Sequence, residues 1–250
     1  MVYYKSAEEV ELIRLSCQLT AQTLNYISEH IKPGISTLYL DRLTEDYIRS
    51  FDAVPSFLGF RGYPNSICAS VNNVVVHGIP KKDEILREGD IITIDVGVCK
   101  NGYYGDKAIT YPVGDISSLA KKLIEVTEKA LDIGISEARE NNRLGDIGNA
   151  IQIYVEQQGF SVVRDFVGHG IGSSAHEDPQ VQHFGKSDTG LTLKKGLVIA
   201  IEPMINAGSY QTKVLSDGWT AVSSDGSLSA QFEHVVAITD DSTEILTLSQ

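Results

Sequence analysis

Apolar and polar positions change period several times along the chain, and each change marks an element. Ser6-Ala7-Glu8-Glu9 has the form of a capping box, and the helix it opens is predicted to run to the stop at Lys32-Pro33-Gly34. A second helix follows at about 37–51, with Leu40, Leu43, Tyr47 and Ile48 on one face. Residues 52–66, rich in glycine and aromatics, keep neither period and are read as a loop. Strands are expected at 66–71 and 74–78. After a turn at Arg87-Glu88-Gly89-Asp90 comes the β-branched run Ile91-Ile92-Thr93-Ile94-Asp95-Val96-Gly97-Val98, which turns back at Asn101-Gly102. Helices are predicted at 117–139 and 144–158, the latter ended by Gly159. A strand is expected at 161–167, a long polar loop with little regular structure at 168–190, and strands at 197–206, 212–216, 219–224 and 228–239.

The second half repeats the first at an offset of 107 residues. Leu12, Leu19, Thr20 and Leu24 fall on Leu119, Val126, Thr127 and Leu131, and Leu40, Leu43, Tyr47 and Ile48 on Ile147, Ala150, Tyr154 and Val155. Ile91-Ile92-Thr93-Ile94-Asp95 falls on Val198-Ile199-Ala200-Ile201-Glu202, each after a glycine. Amphipathic helices match by chance; a carboxylate at one register of two apolar strands is a stronger sign. The expected architecture is α+β: two half-units, about 10–112 and 117–240, related by a pseudo-twofold around a central, mostly antiparallel sheet. Residues 1–250 then form a single domain.

Composition narrows the function. A net charge of −12 without a Lys/Arg block argues against a nucleic-acid partner. Three cysteines without a CxxC spacing argue against a zinc knuckle or disulfide framework and fit a reducing compartment. No run approaches the roughly 18 apolar residues of a membrane span, and the N-terminus has no signal-peptide pattern. These features predict a cytoplasmic protein with no membrane partner.

Candidate chemistry lies in acids set within apolar strands. A two-residue turn at Asn101-Gly102 places Lys100 opposite Tyr103, Gly97 opposite Asp106 and Asp95 opposite Ala108. Asp95 and Asp106 are then diagonal neighbours on one face, with Gly97 leaving empty space opposite Asp106. Two such carboxylates repel unless a cation lies between them. The repeat adds Glu202, and Ala230-Gln231-Phe232-Glu233-His234 adds Glu233. Four carboxylates and one histidine, His169 in Gly168-His169-Gly170-Ile171-Gly172, balance two divalent cations; the flanking glycines would let the backbone pass close to a ligand. Oxygen-rich ligation suits Mn, Fe or Co, with Zn an alternative. His183 has no motif around it and reads as a loop residue.

Asp95 with Asp106, then Gly168-His169-Gly170-Ile171-Gly172, Ile201-Glu202-Pro203 and Gln231-Phe232-Glu233-His234, resemble the type I methionine aminopeptidases of the pita-bread metallopeptidase fold, in their compact bacterial form. Asn72-Asn73-Val74-Val75-Val76-His77-Gly78-Ile79-Pro80 resembles their first-half signature, and the likeness spans essentially the whole chain. The resemblance implies metal-dependent removal of the initiator methionine from nascent polypeptides, met at the ribosome, with a small second residue preferred and a monomeric enzyme. It implies two divalent ions (Co, Mn, Fe or Zn): Asp95 chelates one, His169 and Glu202 the other, and Asp106 and Glu233 bridge both. A water between them attacks the first peptide bond, Glu202 moves its proton, His176 holds the substrate carbonyl oxygen and His77 contacts the scissile nitrogen. Phe57, Phe60, Tyr63, Cys68 and Trp219 match the methionine pocket. Asn72, Val74 and Ser229 match a monovalent-cation site.

Two positions depart from the family pattern. Ala175 stands where a larger apolar residue such as Phe or Leu is usual, which removes one pocket wall. Gly97 lacks the hydroxyl of the Thr or Ser sometimes found there. The competing readings are a proline-directed peptidase of the same fold, which would usually carry an N-terminal domain that residues 1–10 cannot supply, and a non-catalytic module, which would have lost ligands.

Overall fold

The computed structural model describes residues 1–240 and 242–248. Its helices are α1 (Ala7–Ser28), α2 (Thr37–Arg49), α3 (Ser118–Glu137) and α4 (Leu144–Gln157). Ser6 caps α1 as the pattern predicts: its hydroxyl accepts the Glu9 N–H at 3.2 Å, and its own N–H donates to Glu9 Oε2 at 2.8 Å. α1 stops four residues short of the expected end. His30 Nδ1 then lies 3.0 Å from the Tyr26 carbonyl oxygen, at the helix C-terminus.

The hairpin of Ile91–Lys100 and Tyr103–Pro112 is unbroken over all ten residue pairs. Lys100 pairs with Tyr103, Gly97 with Asp106 and Asp95 with Ala108, the register set by Asn101-Gly102. Strand alternation sorts its two faces. Ile92, Ile94, Val96 and Val98 are fully buried against Leu24, Ile27, Leu40 and Ile48 of α1 and α2. Asp95 and Gly97 therefore point to the other face, away from the helices. Strand Ile67–Val71 pairs on the far edge, with Cys68 opposite Asp95, and the two-residue Val54–Pro55 pairs with Val98 and Cys99.

The second half is built differently. Val198–Ile201 pairs with His234–Ile238 in a five-stranded sheet, and Met204–Asn206 pairs with Ser229–Gln231 in a three-stranded one. The continuous strands expected at 197–206 and 228–239 are thus each split, at 202–203 and 232–233. Pro203 has no N–H for a ladder, and the N–H groups of Glu202 and Glu233 bond elsewhere. The α3 and α4 layer packs against Ile199, Ile201, Ile205 and Val236.

Two further expectations need correction. The predicted loop 168–190 contains paired strands, Gly168–Gly170 and Glu177–Val181. Their residues carry little β propensity because space, not side-chain fit, selects them: a Cβ at Gly168 would lie 2.3 Å from the Ala200 carbonyl oxygen, and one at Gly170 2.2 Å from that of Asp178. These glycines admit neighbouring strands, not a ligand. The strand expected at 161–167 shrinks to Ser161–Val162, and a strand not foreseen, Thr243–Ile245, adds to the five-stranded sheet. Among the described residues every paired strand is antiparallel, and no helix is long and apolar enough to cross a membrane.

Candidate metal centre and active site

The hairpin face away from the helices meets the two breaks of the second half. Asp106, His169 and Glu233 each offer one ligand atom, all within 4.8 Å of one another, and all three residues are buried. His169 Nε2 lies 3.5 Å from Glu202 Oε1, and Asp95 and Asp106 stand close enough on the hairpin face for each carboxyl to influence the acidity of the other. The four acids and one histidine singled out in the sequence thus converge.

Each side chain is fixed from behind. His169 Nδ1 lies 3.0 Å from the Gly170 carbonyl oxygen and so carries the proton, which leaves the Nε2 lone pair facing the acids. Glu202 Oε2 accepts from Gln231 Nε2 at 3.0 Å. Gln231 is itself clamped by Thr110, whose hydroxyl donates to its carbonyl at 2.8 Å and accepts its N–H at 2.9 Å. The Glu233 N–H donates to the Ala108 carbonyl at 2.9 Å, which ties the second half to the hairpin. Next to Ala108, the buried Lys107 ammonium donates to the Thr247 carbonyl at 2.9 Å.

The electrostatics resist the charges gathered here. Burial pushes the Asp95 carboxyl up to about 7. Burial, then repulsion from neighbouring acids, holds Asp106, Glu202 and Glu233 well above the ordinary carboxylate range. Burial first, then His176, lowers His169 to about 3, so the ring is neutral and its contact with Glu202 is not an ion pair. Asp95 Oδ1, Asp106 Oδ1 and Glu233 Oε1 are buried with no hydrogen-bond partner. Buried acceptors without donors are costly, and a divalent cation satisfies them all. The donor set of carboxylate oxygens and one neutral imidazole fits hard to borderline cations.

The acids form the floor of a cavity of about 750 Å³. Phe57, Phe60, Tyr63, Cys68, His77, His176 and Trp219 all line it. Tyr63 meets Trp219 edge-on at 5.1 Å, with its hydroxyl 3.0 Å from the carbonyl oxygens of Ile67 and Gly78. His77 stands between the edges of Phe166 and Trp219, at 5.4 and 6.0 Å. Its φ of 59° is a strained backbone for a residue with a β-carbon, the kind of outlier that gathers at functional sites. His176, at the open side, stacks on Phe60 at 5.2 Å and stands 4.1 Å from the His169 ring. Burial lowers His77 to about 4, and desolvation followed by Arg61 lowers His176, so both rings are neutral at physiological pH. Ala175 is buried and does not line the cavity.

Two sequence expectations fall short at this site. His183 does sit in a loop, in the bend after Glu177–Val181, but it is not the idle residue that its lack of a motif suggested. It is buried, and its Nε2 accepts the Glu202 N–H at 3.1 Å. That backbone hydrogen bond is the one that Glu202 forfeits by leaving the strand ladder. No motif marks His183; a histidine in an otherwise polar stretch gave no signal of burial. The space opposite Asp106 is not empty either. A Cβ on Gly97 would fall 1.8 Å from Ser56 Oγ and 2.8 Å from Phe57 Cε1, so the loop before the pocket already fills it.

Comparison with known proteins finds a match to the model of metallopeptidase family M24 over residues 11–240. The chain is similar to a methionine aminopeptidase of Clostridium perfringens, 52% identical over 99% of both chains. It is also similar to methionine aminopeptidase 1 of Bacillus subtilis, 51% identical over 99% of both. Among solved structures, the methionine aminopeptidase from Rickettsia prowazekii superimposes with a TM-score of 0.98 at 46% identity, covering 99% of this chain and 100% of that one.

Proposed function

The chain belongs to metallopeptidase family M24, with its pita-bread α+β fold and divalent-metal dependence, and we propose that it removes the initiator methionine from nascent proteins and peptides, preferring a small second residue. The observation that carries this reading is the floor of the cavity: four carboxyl groups and one neutral imidazole with three partnerless buried oxygens, in a cavity also lined by aromatic rings. The relatives named methionine aminopeptidase at about half identity over their full length point to methionine as the residue that fills the pocket. Aromatic faces and the Cys68 sulfur suit a thioether.

In this reading Asp95, Asp106, His169, Glu202 and Glu233 hold two divalent ions, of Co, Mn, Fe or Zn. Asp106 and Glu233 are shared; their place with His169 in one 4.8 Å cluster supports it. When bound, the ions supply an activated water at neutral pH and neutralise the acids. The chain's own groups do the rest. Glu202, fixed by Gln231 and His183, is placed to carry a proton toward the leaving amine. His176, neutral and at the open side, is placed to donate to the substrate carbonyl oxygen as it gains charge. His77, held between Phe166 and Trp219, faces the scissile nitrogen. The pocket excludes water and orients the methionyl residue.

A monovalent cation is proposed at Asn72, Val74 and Ser229, where Asn206, cross-strand from Ser229, has a buried and partnerless Oδ1. We also read the chain as one catalytic domain made of two half-repeats, as a monomer, and as a cytoplasmic enzyme meeting its substrates at the ribosome. The offset of 107 residues, which carries α2 onto 144–156, supports the repeat.

The test is release of methionine from Met-Ala-Ser by protein stripped with chelator and reloaded in turn with Mn, Fe, Co and Zn, with an Xaa-Pro peptide alongside. Methionine release restored by metal supports the reading. Cleavage of the Xaa-Pro peptide alone would replace it with the proline-directed one, and metal uptake without hydrolysis of either would leave a binding module.

A further inference from the structure

We propose that Ser56 is a positioning residue for the metal ligands Asp95 and Asp106, supplying from a neighbouring loop the side-chain hydroxyl that Gly97 lacks. The inference rests on the metal reading of the site. Gly97 lies on the ligand-bearing face of the hairpin, two residues from Asp95 and directly paired with Asp106. A side chain there would stand on the same face as both carboxyls. Its first atom would coincide with Ser56 Oγ, 1.8 Å away, so the Ser56 hydroxyl occupies the side-chain position of residue 97.

Backbone geometry holds it there. The Ser56 N–H donates to the Gly97 carbonyl at 2.9 Å, directly after Val54–Pro55 pairs with Val98 and Cys99. The Phe57 ring packs over the same glycine, so the hydroxyl cannot swing outward without displacing the pocket wall.

Chemistry says what the hydroxyl is for. Ser56 Oγ is buried without a hydrogen-bond partner, and so are Asp95 Oδ1 and Asp106 Oδ1. One potential donor and two acceptors are left unpaired around one glycine. A carboxylate that binds metal through one oxygen is oriented by a donor on the other, directly or through one water. Ser56 Oγ, buried beside Gly97 on this face and without a partner of its own, is the hydroxyl left to do this on the hairpin side; it makes no direct bond to either carboxyl, so the link runs through one water. Gly97 is then the residue that makes room for it, and the absent hydroxyl at 97 is not a loss.

The test is a swap. Mn2+ binding to chelator-stripped protein is measured by calorimetry for wild type, Ser56→Ala, Gly97→Ser and the double variant S56A/G97S, with the melting temperature of each metal-free protein as a folding control. Ser56→Ala is expected to weaken Mn2+ binding by about 10- to 100-fold without lowering the metal-free melting temperature. Gly97→Ser is expected to destabilise the fold, because its Cβ meets Ser56 Oγ. The double variant loses the clash with Ser56 Oγ and keeps only that of the Cβ with Phe57 Cε1 at 2.8 Å, so it should regain part of the folding and part of the affinity, since the hydroxyl returns on the other residue. Wild-type affinity in Ser56→Ala, or a folded double variant that binds no better than Ser56→Ala, would overturn the inference while the metal reading stands. A wild-type protein that takes up no Mn2+ would overturn the metal reading and the inference with it.

Discussion

The two halves of the site reach the same end by opposite constructions. In the first, Asp95 and Asp106 sit inside a hairpin whose ladder runs unbroken for ten pairs, so the backbone that carries them is fixed by its own strands. In the second, Glu202 and Glu233 sit in the gaps where two strands pass from one sheet to another. Ile201 pairs with His234, and Met204 with Gln231; the ligands fall between. There the ladder gives no support, and side chains and distant backbone replace it: His183 for the Glu202 N–H, Ala108 for the Glu233 N–H and Gln231 for the Glu202 carboxylate. A regular strand places an acid cheaply but fixes its direction. A break frees the direction and requires partners from elsewhere.

Several measurements can break or sharpen that contrast. If all the acids serve one centre, the contrast vanishes when a shared ligand is removed. Asp106→Asn from the hairpin and Glu233→Gln from the break should each lower kcat/KM for Met-Ala-Ser by about a thousandfold or more, with loss of bound metal on elemental analysis. A large loss in only one of them would assign the shared role to that half alone.

The contrast should reappear one layer out. His183→Leu removes the acceptor for the Glu202 N–H and should cost about 10- to 100-fold in kcat/KM, while His183→Gln, whose side-chain oxygen can accept, recovers part of it. Tyr103→Phe, which removes a hydroxyl bond of 3.2 Å to Glu9 near the turn of the self-supporting hairpin, should cost far less. Equal losses would refute the idea that the breaks depend on borrowed partners.

Acidity gives a third test. The histidines lowered by burial, such as His77 at about 4, add stability above their unfolded value of 6.5 and lose it as pH falls below that. Carboxyls raised by burial do the reverse: Asp95, raised from 3.8 to about 7, adds stability at low pH and loses it as pH rises through 7. Above pH 6.5 the histidine contribution is complete and only the acids still change. The melting temperature of chelated protein should therefore fall by a few degrees between pH 6.5 and 8, and that of metal-loaded protein should stay level. Asp95→Asn should flatten the fall; a slope that survives it would move the titration to Asp106 or to the acids of the breaks.

The smallest effect concerns the pocket. Ala175 is buried outside the cavity, so Ala175→Phe can reach the pocket only by pushing on His176, and should shift kcat/KM no more than several-fold between Met-Ala and Met-Val peptides. An unchanged panel would show that Ala175 has no part in selecting the residue after methionine.

The same contrast explains what the sequence made legible. Asn101-Gly102 fixes the hairpin register because that dipeptide admits few turns, and with it the placing of Gly97 opposite Asp106 could be read directly. Glu202 and Glu233 could be found by the repeat and by their apolar flanks, but not the breaks that hold them; Pro203 was the one local sign. His183 was missed because its partner is a backbone N–H nineteen residues away, a contact that leaves no periodicity. Ser56 was missed because space beside a glycine reads as empty until a neighbouring loop is seen to fill it. The strands at 168–181 were hidden because close backbone approach demands glycine, the residue that also signals a loop.

One tie has a consequence in time. The Glu233 N–H is held by the Ala108 carbonyl, so the last acid reaches the hairpin only after the whole of the second half has left the ribosome. At ordinary rates of synthesis, on the order of ten seconds separate residue 106 from residue 233. During that interval the hairpin can form with only two of the five groups that meet at the site, Asp95 and Asp106, in place. A half-made chain therefore lacks three of the five groups, and the site is complete only once Glu233 has been made and has reached the hairpin.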